Sequence, residues 1–192
     1  MCSKAKEIVA SLGRELPSRD LIDYVSVLLV VKKHGPIGRP SLSRILGLGD
    51  KRTRNILARL RATGLIESSR AGAVVTEAAA KLFEGVDCLH RDSYTIAVLP
   101  CSNWGSEFVA RNVIALRDAI VIALSDPHVL EVIGWLDADS LVLPGVTASI
   151  AEKYKTLINA STCPGQCLVG LFRGSSTCYR CCASLLHAAS TL

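Results

Sequence analysis

Two groups of residues in the 192-residue chain have the types and spacing to do chemistry. The first is cationic. Between Lys32 and Arg70 lie Lys32, Lys33, Arg39, Arg44, Lys51, Arg52, Arg54, Arg59, Arg61 and Arg70, ten cations against two anions, Asp50 and Glu67. Such an excess suits a polyanion, because each cation that meets a phosphate releases condensed counterions. Asn55 and Ser41, interleaved with them, add neutral hydrogen-bonding groups. The second group is Cys163-x3-Cys167-x10-Cys178-x2-Cys181, with Cys182 adjacent. Four thiolates so placed could enclose a tetrahedral zinc, although three residues between the first two is an unusual spacing. Disulfides are a second reading of the same cysteines, and no defined role is a third.

Catalytic signatures are absent. The chain has no G-x-S-x-G, H-E-x-x-H, G-x-x-x-x-G-K-[ST] or G-x-G-x-x-G. His34, His90, His128 and His187 stand far apart, without a ligand pair. Cys101, Ser102 and Asn103 read as loop residues, and Asp137 with Asp139 as a hairpin turn. No enzymatic activity, cofactor or catalytic residue is expected.

Charge divides the chain. Residues 1–86 hold 15 Lys+Arg against 8 Asp+Glu, a net +7, and residues 87–192 hold 7 against 9, a net −2, which together give the overall +5. With 49% apolar residues the chain can bury a core. The longest apolar stretch, Leu21–Val31, is broken by Asp23 and closed by Lys32 and Lys33, too short to span a membrane. The N-terminus lacks the apolar stretch of a secretion signal, so an intracellular, cytoplasmic protein is expected.

The basic half must position its cations on helices. Ser18 to Lys33 reads as a helix with Ser18 as its cap, Leu21, Tyr24, Val25, Leu28 and Leu29 on one face, and Gly35-Pro36 as its stop. Gly38 to Gly47 reads as a short second helix with Pro40 in its first turn. Gly47-Leu48-Gly49 then breaks the chain, and Asp50 can cap a third helix, Lys51 to Thr63, ended by Gly64. There Thr53, Ile56, Leu57 and Leu60 share an inward face, and Lys51, Arg52, Asn55 and Arg59 look outward. A hairpin, Leu65–Ser69 and Val74–Thr76, precedes a fourth helix from Glu77 to Phe83.

This order, with Ile45–Asp50, Asn55–Glu67 and Val75-Thr76-Glu77, resembles the recognition helix, following junction and strand exit of prokaryotic winged-helix regulators. The resemblance implies a winged helix-turn-helix over 1–86. Lys51, Arg52, Arg54 and Asn55 would then enter the major groove, where Arg and Lys pair with guanine and Asn with adenine. Arg59 would meet phosphate, Arg70 of the hairpin would reach the backbone or minor groove, and Arg39, Ser41 and Arg44 would grip phosphates beside the second helix.

In the second half, Asp87 to Asp92 reads as a connector. Tyr94–Leu99 reads as a strand, Glu107–Leu124 as a helix, Val129–Trp135 and Ser140–Leu143 as paired strands, and Thr147–Asn159 as a helix. Ala115–Ile120, the hairpin and Leu143–Val146 resemble the C-terminal domain of archaeal winged-helix transcriptional regulators, a GAD-like fold also inserted in bacterial aspartyl-tRNA synthetases. The expectation is therefore an α+β protein: a winged helix at 1–86, a two-layer α/β sandwich at 92–160 that dimerises or senses a small effector, and a Cys-rich tail at 161–192. Ser, Thr, Cys, Ala and Gly crowd that tail and no acidic residue follows Glu152, so it reads as disordered and dispensable. The expected partners are double-stranded DNA and a second copy of the chain, with RNA or protein docking as the alternative.

Overall fold

The apolar run from Leu21 to Val31 decides where the centre of the molecule lies. In the computed structural model, which describes residues 3–14, 16–138, 140–159, 162–163 and 165–192, it forms most of helix α2 (Ser18–His34). Leu21, Ile22, Val25, Val27, Leu28, Leu29, Val30 and Val31 are all buried. The helix is thus covered nearly all round, not on the single face its spacing predicts. Pro17 is the N-cap and its carbonyl accepts from the amides of Asp20 and Leu21. Ser18, the expected cap, is instead the first helical residue. A helix not anticipated from the sequence, α1 (Ser3–Gly13), adds Val9 and Leu12 to the same core.

Helix α3 (Arg39–Leu46) and helix α4 (Asp50–Ala62) follow, separated by a turn in which Gly47 takes the left-handed conformation at φ 62°. The N-cap of α4 is Gly49, and Asp50 enters the first turn, where it meets Arg39 at 2.8 Å. Strands β1 (Ile66–Ser69) and β2 (Gly72–Val75) pair antiparallel from Ile66↔Val75 to Ser69↔Gly72, leaving Arg70-Ala71 at the tip. Ile37 exchanges backbone hydrogen bonds with Ala73 at 3.0 and 2.9 Å, fixing the hairpin to the entrance of α3. At this crossing Gly72 has φ 138°, and a Cβ would stand 2.3 Å from the Ile37 carbonyl oxygen, so the position requires glycine. Helix α5 (Glu77–Leu82) is capped by the Thr76 hydroxyl, which accepts from the Ala79 amide.

The rest is an antiparallel five-stranded sheet ordered β3-β4-β7-β5-β6. Its strands are β3 (Asp87–Arg91), β4 (Tyr94–Pro100), β5 (Leu130–Asp137), β6 (Ser140–Val142) and β7 (Gln166–Arg173). The helices are α6 (Ser106–Leu124), α7 (Ala148–Lys155) and α8 (Tyr179–Ser190). Alternation along the strands serves two faces. Ala97, Leu99, Ile133, Trp135, Leu168 and Phe172 join a core shared with α6 and α8. Ile96, Val98, Val132, Leu136, Val169 and Leu171 pack with Tyr154 and Ile158 on the other face. Both faces are covered, so the expected two-layer sandwich is corrected to a sheet between two layers. On the second face Glu131 accepts from the Tyr154 hydroxyl at 2.5 Å and pairs with Arg173. Burial, helped by Glu131, pushes Tyr154 up to about 12.

Three expectations need correction. Asp87–Asp92 is not a connector: residues 87–91 pair with β4 from Asp87↔Val98 to Arg91↔Tyr94. The tail is neither disordered nor separate. Strand β7 is the central strand, hydrogen-bonded to β4 on one side and β5 on the other. Cys181, Cys182, Ala183, Leu185, Leu186, Ala188 and Ala189 of α8 are buried in the core that also holds α2. The division at 86, 92 and 160 therefore does not mark independent units, because one apolar core runs from α1 and α2 through α8 to α6. Asp139 and Ser161, at the predicted turn and tail boundary, lie outside the described residues. No helix among the described residues is long and apolar enough to cross a membrane.

Candidate nucleic-acid interface

Helix α4 sorts its side chains by period. Thr53, Ile56, Leu57 and Leu60 are buried, and Thr53 is held from two sides: its hydroxyl accepts from Ser43 at 2.9 Å and donates to the Gly49 carbonyl at 3.1 Å. These contacts fix the register of α4 against α3. The opposite face presents Lys51, Arg54, Asn55 and Arg61 to solvent, with Arg59 half-buried beside them. Arg44 and Ser41 on α3 and Arg70 at the hairpin tip are also exposed. The N-terminus of α3 has Gly38 as N-cap with no side chain capping its amides, an arrangement that favours an anion.

Two of the expected site residues do something else. Arg52 turns back across α4 toward α2: its Nη2 meets Asp20 Oδ1 at 2.6 Å, and its Nε donates to Asp23 Oδ2 at 2.7 Å. Those acids, Asp20 foremost, raise the Arg52 guanidinium above its usual value. Arg52, expected at base edges, is thus held by two acids of α2 while remaining 44% exposed. In this arrangement it holds α4 to α2 through charge-assisted hydrogen bonds to two carboxylates. Arg39 is likewise engaged by Asp50. The sequence reading missed this tie because its partners lie 29 and 32 residues away; the two acids one helical turn apart on α2 were the available signal.

Beside the start of α4 lies a cavity of about 480 Å³ bounded by Leu16, Tyr24, Gly49, Lys51, Asn55 and Ile56. The Arg52–Asp20 ion pair also lines it, so apolar, cationic and acidic groups meet there. A second cavity, about 290 Å³, opens between the end of α2 and β3 and is lined by Lys32, Lys33, Asp87, Cys88 and Tyr179. There the Lys32 ammonium donates to the Val86 carbonyl at 2.7 Å, and burial lowers its pKa despite Asp87 nearby. His34 Nε2 and the Tyr179 hydroxyl lie 2.6 Å apart, tying the last turn of α2 to the first of α8.

The cysteines do not assemble into the zinc site considered from their spacing. Cys163 and Cys167 pack on one face of the sheet and Cys178 and Cys181 on the other. Disulfides join Cys163 to Cys167, Cys178 to Cys181, and Cys88 to Cys182. Among the described residues no group of three or more His, Cys, Asp and Glu is placed to hold a metal.

No family model matches the chain, and no curated protein does. Among solved structures it is similar to hypothetical protein PH0730 from Pyrococcus horikoshii OT3, with a TM-score of 0.57 and 18% identity over 89% of this chain and 91% of that one. What the two share is the fold. The similarity spans nearly the whole of both chains, so it takes in the basic half and the sheet together.

Proposed function

We propose that the protein is a sequence-specific DNA-binding regulator of the winged helix-turn-helix kind, with α4 as its recognition helix and the β1–β2 hairpin as its wing. One observation carries the reading: the face of α4 that faces away from the core presents Lys51, Arg54 and Asn55 in its first turn and a half, where a groove-bound helix meets base edges. Arg44 and Ser41 on α3 and Arg70 at the hairpin tip are the phosphate-contacting groups in this reading. The overall charge bias toward residues 1–86 supports it. Arg52 and Arg39 serve as struts.

The second half is the dimerisation unit. Ile114 and Ile122, 72% and 73% exposed on α6, are the apolar residues a second copy would cover, and pairing doubles the DNA site read. RNA or protein docking by the same basic face is the other reading. Selection from a random duplex pool, compared with binding to bulk tRNA at matched salt, separates them. Enrichment of one motif, with two half-sites related by symmetry, is expected; equal affinity for tRNA with no enriched motif overturns the DNA reading.

A further inference from the structure

We infer that Cys178 and Cys181 form a redox-active dithiol/disulfide site that exchanges with low-molecular-weight thiols and disulfides of the glutathione type. The pair spans the first turn of α8 as Cys178-Tyr179-Arg180-Cys181, bridged with a Cα separation of 5.2 Å. Attack on a disulfide needs access to one of its sulfurs. Cys88, Cys182, Cys163, Cys167 and Cys181 are all buried, whereas Cys178 is partly exposed. Among the three bridges joined above, the one at Cys178 is thus the one open to a small thiolate.

The local backbone favours a thiolate at that same sulfur. Cys178 is the N-cap of α8, and its Sγ accepts from the Cys181 amide at 3.2 Å. When the bridge opens, that donor and the positive end of a 12-residue helix face the Cys178 sulfur, which lowers its pKa and makes it the better attacking and leaving group. In the reducing direction an external thiolate attacks Cys178 Sγ. The Cys178–Cys181 bond breaks, its electron pair leaves on Cys181 Sγ, and that sulfur takes up a proton, giving a mixed disulfide at Cys178. A second external thiolate attacks the external sulfur and releases the Cys178 thiolate. Two thiols have become one disulfide, and the protein has gained two electrons. The oxidising direction reverses these steps, with Cys178 attacking an external disulfide and Cys181 resolving the adduct. This site does not depend on the nucleic-acid reading.

The test equilibrates the intact chain in a series of reduced and oxidised glutathione buffers, quenches with acid, alkylates, and measures each cysteine peptide by mass spectrometry. Cys178 and Cys181 should become reduced in a buffer at least about tenfold more oxidising than the one that opens Cys88–Cys182, a spacing that corresponds to about 30 mV. Cys181→Ser should accumulate one glutathione adduct, at Cys178, while Cys178→Ser accumulates none at Cys181. Circular dichroism confirms that each variant is folded, and the wild-type titration stands if one is not. Simultaneous opening of the bridges, or no adduct on folded Cys181→Ser, overturns the assignment.

Discussion

Asp23 and Arg52 form the tie between the central helix and α4: the Asp23 carboxylate, 5% exposed, accepts from Arg52 Nε at 2.7 Å. Its other oxygen lies 3.4 Å from Arg180 Nε on α8. One buried acid therefore connects the helix proposed to meet DNA with a helix from the last 14 residues of the chain. Its position follows from the burial of α2 on all sides, since a carboxylate so placed must find cations.

Removing Arg52 should accordingly damage the fold more than base recognition. A buried ion pair broken from one side costs several kcal/mol when both partners are buried. Arg52 is 44% exposed, so Arg52→Ala should cost about 2 kcal/mol of unfolding free energy. Urea denaturation measures this. DNA affinity should fall without a change in the preferred sequence; a stable variant with altered base preference would return Arg52 to the groove.

The exposed residues of the basic face should divide by role. Asn55→Ala is expected to relax preference at defined operator positions at a cost of about 1 to 3 kcal/mol. Arg70→Ala, at the hairpin tip, should weaken all sequences alike and lower the salt slope by about 1. Competition binding against single-base operator variants distinguishes the two patterns. Uniform losses from both substitutions would mean that α4 does not lie in the groove.

Truncation at residue 165 should abolish cooperative folding. It removes the strand that pairs with both β4 and β5, and the helix that completes the core around α2. A gentler probe is Phe172→Ala, a fully buried ring, expected to cost about 3 to 5 kcal/mol. Calorimetry reports both, and a sharp transition in the truncated chain would contradict the core shared by α1, α2, α6 and α8.

His187 supplies a pH dependence. Burial lowers its pKa below the ordinary histidine value of about 6.5, and among the described residues its Nδ1 has no hydrogen-bond partner. The unfolded chain therefore binds more protons there than the native one. Stability should be full above the unfolded pKa and fall as pH drops through about 6.5 toward the lower folded value. His187→Gln should flatten this part of the curve in denaturation midpoints measured between neutral and mildly acidic pH. An unchanged slope would assign the dependence to another group.

The elements around the basic face were legible because each carried several agreeing signals. For α4 these were a glycine break at 47–49, a buried face at three-and-four spacing and Gly64 at its end. The exposure of Lys51, Arg54 and Asn55 follows from that period. Strand β3 was hidden because Asp87, His90 and Arg91 are polar and only Cys88 is buried. Strand β7 was hidden differently. Cys167–Phe172 is an apolar run, consistent with burial on both faces, but the Cys- and Ser-rich surroundings drew the reading toward disorder. Composition described the neighbourhood and not the strand. The Arg52 tie was illegible since it depends on how α2 and α4 pack.

The central claim is that the face bearing Lys51, Arg54 and Asn55 binds duplex DNA, and salt-dependent binding tests it most directly. Fluorescence anisotropy of the full chain on duplex DNA should give a log-log slope of about −5 if about six phosphates are neutralised. Arg44→Gln/Arg70→Gln, which removes two of the phosphate-contacting cations flanking that face, should reduce its magnitude by about 2, at about 0.9 per lost phosphate contact, while leaving thermal stability unchanged. A slope near zero, or one that the double substitution leaves in place, would contradict the account.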